Sequence, residues 1–422
     1  MLFKKEKKEE LKEAPLNYWE EESYMLVVPE EMTKEIPAGI FERIAQIENV
    51  KIKEKNELKE DEPGKVKLTY ENEEYEIIFY PSEISIPEMY INKHYYFSDE
   101  EAEKLKNAKN ALTICMKFNK DSIKSYHLQI KLAVAMVPNM IGIMDESAEK
   151  MIPATWAKMT AQSKVRPSAN DLYVVQAVSH ENGEVWLHTH GLCRCGITEL
   201  EILKSDKENY NNHYNLIATF ASYLIEKKEE YKNSAYIGLL SNRQPVVVTY
   251  LPWTKGINEY KNLNLGNIED RKDGHNSKTS IIFIYKNEQD EKQEKLTKVS
   301  EFNKLWGDNP IFFISNQETA KMKALAMERF KFVKEQSKNE ENKIIIKIGL
   351  PVGGDNNFEH IWFELMEFEG EKFKAKLLQE PYDVKDIHEG HEDWYTIQDV
   401  TDWVIYTPKF TVNPASAYLL EI

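Results

Sequence analysis

At 422 residues the chain is too long for one ordinary core, and its 41% hydrophobic and 11% aromatic content argues against a disordered polymer. A net charge of −16 sets up a field that repels phosphate, which argues against nucleic acid and anionic membranes as partners. Three cysteines cannot build a disulfide framework, and a reduced cytoplasm is the expected setting.

In chain order, residues 1–20 read as a charged flexible tail without the apolar stretch of a signal peptide. An N-terminal α+β domain is expected over 21–120. It starts with a strand at Ser23 to Pro29, and a helix follows Pro37 with Ile40, Ile44 and Ile47 on one face. Alternating strands come next in KVKLTYE and YEIIFYP. Ser98 caps a short acidic-fronted helix, and Cys115 sits in the apolar strand ALTICMKF. The order suggests helices on one face of the sheet. A second α+β domain is expected over 121–255. It has a helix buried on most sides (Ile123, Tyr126, Ile130, Val134, Val137), two strands across the turn HENG, and an amphipathic helix through Leu216, Phe220 and Leu224. Residues 256–340 read as an irregular bridge with short strands and a helix through Met322, Ala326, Phe330 and Val333. From 341 to 422 the pattern is short strands, with Gly353-Gly354 and Glu369-Gly370 as turns, and a small β-barrel-like domain is expected. The fold class is therefore α+β multidomain: two α+β units with mixed or antiparallel sheets, and a small β unit.

The densest chemistry lies in EVWLHTHGLCRCGITELE, Glu184 to Glu201. His188, His190, Cys193 and Cys195 are zinc-ligand types, but strand alternation puts both histidines on the face of Trp186 and the cysteines at odd offsets. A bulge or turn at Gly191-Leu192 is needed to bring the four together. Without it the segment is structural, with Leu187, Leu192, Ile197, Leu200 and Ile202 in the core. The acidic loop around His388 and His391, with Asp383, Asp386, Glu389, Glu392 and Asp393, is a weaker cation candidate.

The spacing His188-Thr189-His190, then Thr198 and Glu201, resembles the zinc motif of the deubiquitinase-type metallopeptidases. That resemblance implies His188, His190 and Glu201 as ligands and Thr198 in the role of the family's Ser. Asp is replaced by Glu, Ser by Thr, and the Pro after the second His by Gly191. ITELEIL also alternates like a strand where that family starts a helix. The span from Ser23 to about Pro252, marked by WLHTHGL, CG and ELEIL, resembles an uncharacterised bacterial family known as a domain of unknown function. This gives weight to His190, Gly191, Gly196 and Glu199 to Glu201. The C-terminal part resembles a second small domain of unknown function, through His360 and Trp362, Pro381, and Asp402 with Trp403. Trp394, Trp403 and Tyr406 are expected in its core.

No phosphate-binding glycine loop and no G-x-S-x-G occurs, and no catalytic set is assigned. The expected function is a cytoplasmic, non-catalytic protein-binding or scaffolding module with an unknown protein partner and no cofactor. The alternative is a zinc-dependent hydrolase using His188 and His190.

Overall fold

The computed structural model describes residues 21–30, 39–59, 62–227, 229–271, 276–306, 310–353 and 357–422. The charged tail, Pro37 and Gly354 lie outside the described residues. Among the described residues the strands form three sheets, in an α+β multidomain arrangement.

The first sheet uses β1 (Glu22–Pro29), β2 (Val50–Asn56), β3 (Gly64–Tyr70), β4 (Glu73–Glu83), β5 (Asn110–Lys117), β6 (Met140–Asp145) and β7 (Lys150–Pro153). Their order is β2-β3-β4-β5-β1-β6-β7, antiparallel throughout. Its helices are α1 (Ile40–Ile44), α2 (Asp99–Asn107), α3 (Ser122–Met136) and α4 (Ala154–Gln162). Alternation along β1 sends Met25 and Val27 into the core under α3, and Leu26 and Val28 into a separate cluster under α2. Helices therefore cover both faces, not one as expected, because Ala102 and Leu105 of α2 bury against Ile141 and Met144. Ser98 caps α2 in a reciprocal box with Glu101. The buried helix through Tyr126 and Ile130 is α3, capped by Asp121. The boundary expected at 120 falls between β5 and α3, and the sheet continues past it to Pro153.

The second sheet uses β8 (Val174–Ser179), β9 (Glu184–His190), β10 (Glu199–Asp206), β11 (Ala235–Leu239), β12 (Pro245–Pro252), β13 (Thr279–Tyr285), β14 (Thr297–Lys298) and β15 (Ile311–Phe312). The path runs β15-β11-β12-β13-β10-β9-β8, with β14 added on β13. The β10–β13 pair is parallel and the others are antiparallel, so the sheet is mixed. The helix α5 (Tyr210–Lys227) buries Leu216, Ile217, Phe220 and Leu224, and packs against β8, β9, β10, β11 and β15. One helix can touch both outermost strands only if the sheet curls around it as a half-barrel. Two short helices, α6 (Trp253–Gly256) and α7 (Glu288–Lys292), lie in the connections. The apolar interior is continuous from the first sheet through α3 into the second sheet and α5.

The third sheet uses β16 (Lys343–Pro351), β17 (Phe358–Glu369), β18 (Lys372–Leu377), β19 (Glu392–Thr396), β20 (Val400–Tyr406) and β21 (Thr411–Val412), in the order β19-β18-β17-β16-β20-β21. It is open: β19 and β21 are its two edges, and the barrel-like closure expected from sequence does not form. The helices α8 (Asn316–Glu328) and α9 (Phe330–Gln336), read from sequence as part of the bridge, cover one face. Their Ala326, Phe330 and Val333 join Ile346, Phe363, Phe373 and Trp403 in the core. Those helix residues complete the burial that closure would otherwise supply. No helix among the described residues is long and apolar enough to cross a membrane.

Candidate functional site

The sequence directs attention first to the turn between β9 and β10. Along β9 the rings of Trp186, His188 and His190 lie in a row, with centroids 4.4 Å and 5.0 Å apart, as alternation requires. After His190 the chain turns at Gly191 (φ +114°), where a Cβ would come within 2.5 Å of the Leu172 carbonyl oxygen. Only glycine fits there. A single 3-10 turn follows over Cys193–Cys195, and Gly196 (φ +70°) returns the chain into β10. ITELEIL is indeed a strand at this point and not a helix.

The carboxylate of Glu199 holds this turn in place. It accepts from the backbone N–H of Gly191 (2.9 Å) and of Cys193 (3.0 Å), and from the Thr189 hydroxyl (2.6 Å). Burial raises the Glu199 pKa, and these three hydrogen bonds work against the rise. Sequence reading gave Glu199 weight only through the family resemblance; its role as the internal anchor of the turn is visible only in three dimensions.

The proposed ligand set does not assemble as one site. Both oxygens of Glu201 accept from Nη2 of Arg271 (2.8 Å each), and Oε2 also accepts from the Trp186 indole (2.8 Å). Trp253 and Trp186 flank the guanidinium at 4.5 Å and 5.4 Å. His188 faces Glu201 across the ladder, and His190 pairs with Glu149 at 3.5 Å. Cys195 packs in the core, its thiol 3.7 Å from the Gly191 carbonyl oxygen, and burial holds the Cys193 thiol well above its ordinary pKa. That burial opposes the thiolate that a ligand or nucleophile needs. Thr198, the counterpart of the metallopeptidase Ser, donates to the Lys278 carbonyl oxygen (3.1 Å) and shares a hydrogen bond with the Ser280 hydroxyl (3.0 Å). Among the described residues no three His, Cys, Asp or Glu side chains are grouped to hold a metal ion. This arrangement gives the hydrolase alternative no support.

Arg194, between the two cysteines, was not singled out by the sequence. Its guanidinium makes two parallel bonds to Asp145 (2.7 and 2.9 Å), a third to Ser23 (3.1 Å), and lies over the Tyr126 ring at 5.0 Å. Both members of the pair are fully buried. The turn of the second sheet is thereby fastened to β1 and β6 of the first. A charged residue inside the apolar run LCRC was the one available signal.

The remaining candidates are dispersed. Burial pushes the Cys115 thiol up to about 12. His388 binds Glu380 at 2.5 Å, and Glu392 pairs with Lys374 at 2.8 Å, so the acidic loop does not converge. In the third sheet Trp403 is core, donating to the Ala326 carbonyl oxygen at 3.0 Å, whereas Trp394 and Tyr406, expected in the core, are exposed. His360, Trp362 and Asp402 do share the uncovered face. Lys347 stands opposite both Trp362 and Asp402, 5.3 Å from the indole ring, and Thr401 bonds the His360 ring at 3.2 Å.

A cavity of about 370 Å³ borders the turn at His190, Gly191, Cys193 and Glu199, and a larger cleft of about 980 Å³ runs along the outer face of α5. Both outermost strands of the curled sheet, β8 and β15, contribute to its walls, and α8 and the Ser168–Asp171 segment complete it. Tyr214, Tyr236, Phe313 and Met322 line it and keep more than a third of their surface exposed. At its inner end stands the buried Lys150, and the exposed His94 also lines it. Burial brings the Lys150 pKa down to about 8.

The three sheets correspond to three recognised regions. Residues 23–167 match the family described as Protein of unknown function (DUF4026) N-terminal, residues 175–283 match Protein of unknown function (DUF4026) C-terminal, and residues 316–414 match Uncharacterized protein conserved in bacteria (DUF2314). No curated protein and no solved structure matches the chain significantly. The chain thus joins the N- and C-terminal regions of the DUF4026 family, in order, to a DUF2314 domain.

Proposed function

We propose that this chain is a non-catalytic, cytoplasmic binding module that takes an extended segment of a partner protein in the cleft over α5. The observation that carries the reading is the half-barrel: its two edge strands, β8 and β15, both border one cleft. A sheet edge leaves backbone N–H and C=O groups without ladder partners, and an added strand satisfies them. From Tyr214 to Glu226 the floor of α5 runs about 18 Å at ~1.5 Å per residue, room for about five extended residues. The exposed aromatic rim supplies apolar contact for alternate side chains of such a strand. The cytoplasmic setting rests on the three free thiols, and the exclusion of nucleic acid and anionic membrane rests on the charge of −16.

The test places a photo-crosslinking amino acid at Tyr236, with Tyr382 as a control; Tyr382 is 86% exposed and does not line the cleft. The expected result is one protein adduct from Tyr236 alone, lost when Thr219→Trp fills the cleft. Identical adducts from both positions, or adducts insensitive to Thr219→Trp, would overturn the reading.

A further inference from the structure

Lys150 begins β7 at the inner end of the cleft, with 2% of its surface exposed. Its Nζ donates to the backbone carbonyl oxygen of Asp171 and lies 6.0 Å and 5.9 Å from the Tyr95 and Tyr126 rings. The other buried cations set the comparison. Arg194 and Arg271 are each held by a carboxylate through paired hydrogen bonds, and Lys124 meets Glu73 at 2.5 Å. Among the described residues Lys150 has no carboxylate within ion-pair distance; Arg329 shares that condition, bonding the carbonyl oxygens of Pro414 and Ala415. The difference between them is chemical and spatial. A guanidinium keeps its proton and Arg329 does not line the cleft, whereas an ammonium can relieve its burial by releasing a proton, and Lys150 borders open space.

We infer that Lys150 is a reactive amine that forms an imine with an aldehyde or ketone carbonyl of a small molecule seated at the inner end of the cleft. The unprotonated Nζ adds to the carbonyl carbon, so that a C–N bond forms while the C=O π pair moves to oxygen. A proton passes from nitrogen to that oxygen, water leaves, and a C=N bond remains. Amine plus carbonyl gives imine plus water, with no oxidant or reductant. Two features favour this at Lys150. Burial, with the charge of Arg194, lowers its pKa to about 8 against the pull of Asp145, which faces it across the β6–β7 ladder, and of Asp171. A neutral fraction is therefore present near neutral pH, and the 2% exposure of the side chain limits the return of water to the imine. This inference stands apart from the protein-binding reading and is tested without any partner.

The full chain is incubated with pyridoxal and sodium cyanoborohydride, and the reduced adducts are mapped by peptide mass spectrometry. Lys150 is expected to exceed the exposed Lys59 and Lys120 by about tenfold or more at pH 7.5, with its modification half-maximal near pH 8 and that of Lys59, held up by Glu62, still rising beyond it. Lys150→Arg, which keeps the charge, is expected to abolish that adduct and leave the exposed sites unchanged. Adducts spread over exposed lysines with Lys150 unmodified, or a Lys150 profile that follows theirs, would overturn the inference. The wild-type map decides the matter even if the variant does not fold.

Discussion

In the turn between β9 and β10 the chain gathers two histidines, two cysteines, two glutamates and an arginine, and the acidic and guanidinium groups are engaged with one another or with backbone. Glu199 holds Gly191 and Cys193, Glu201 holds Arg271, and Asp145 holds Arg194. The cleft over α5 is larger than the cavity at the turn and is lined by tyrosines, phenylalanines and a few charged groups; among the described residues its Lys150 has no carboxylate within ion-pair distance. The difference teaches that chemical richness in a sequence and chemical availability in a fold are separate properties. Buried polar groups must be satisfied, and a dense cluster is often one that has satisfied itself.

The largest expected effect tests whether the turn is structural. Arg194→Met removes one member of a fully buried pair and strands Asp145, and urea unfolding should show a loss of about 3–5 kcal/mol. A loss below about 1 kcal/mol would mean that the turn does not bind the two sheets together. Next is Gly191→Ala, which forces a Cβ against the Leu172 carbonyl oxygen at positive φ and should cost about 1–3 kcal/mol with the circular dichroism spectrum retained. The smallest effect concerns the buried histidine of α3. His127 is held near 4 mainly by burial, whereas unfolded histidine titrates near 6.5. Below 6.5 the unfolded chain binds protons that the folded chain refuses. The stability His127 contributes is therefore complete above pH 6.5 and is lost as the pH falls toward 4. Glu199, with its raised pKa, opposes that trend. Urea midpoints at pH 7.5 and pH 5 should differ accordingly, and His127→Gln should narrow the gap.

The strands around the turn were legible because their signals are local. Alternation placed Trp186, His188 and His190 on one face, and the pattern of ITELEIL gave β10 against the helix that the metallopeptidase resemblance implied. The role of Gly191 was half legible: glycine permits a turn, but the nearby Leu172 carbonyl that demands glycine is set by packing. Arg194 and Asp145, 49 positions apart, and Glu201 and Arg271, 70 apart, leave no periodic trace, so neither pair could be read from one chain. The cleft was invisible for a further reason. It is defined by where β8 and β15 fail to meet, and no residue encodes a gap. The third sheet misled for a related reason: short alternating strands suit a barrel or a helix-backed sheet equally, and Ala326 and Phe330 belong to helices that lie before it in sequence.

The guanidinium that reaches from LCRC to Asp145 and Ser23 makes the two DUF4026 regions a single thermodynamic body. Were the chain divided near residue 170, one fragment would keep a naked anion and the other a naked cation, each facing an interior opened to water. Neither piece would be viable alone, though the two mixed in solution should find each other again.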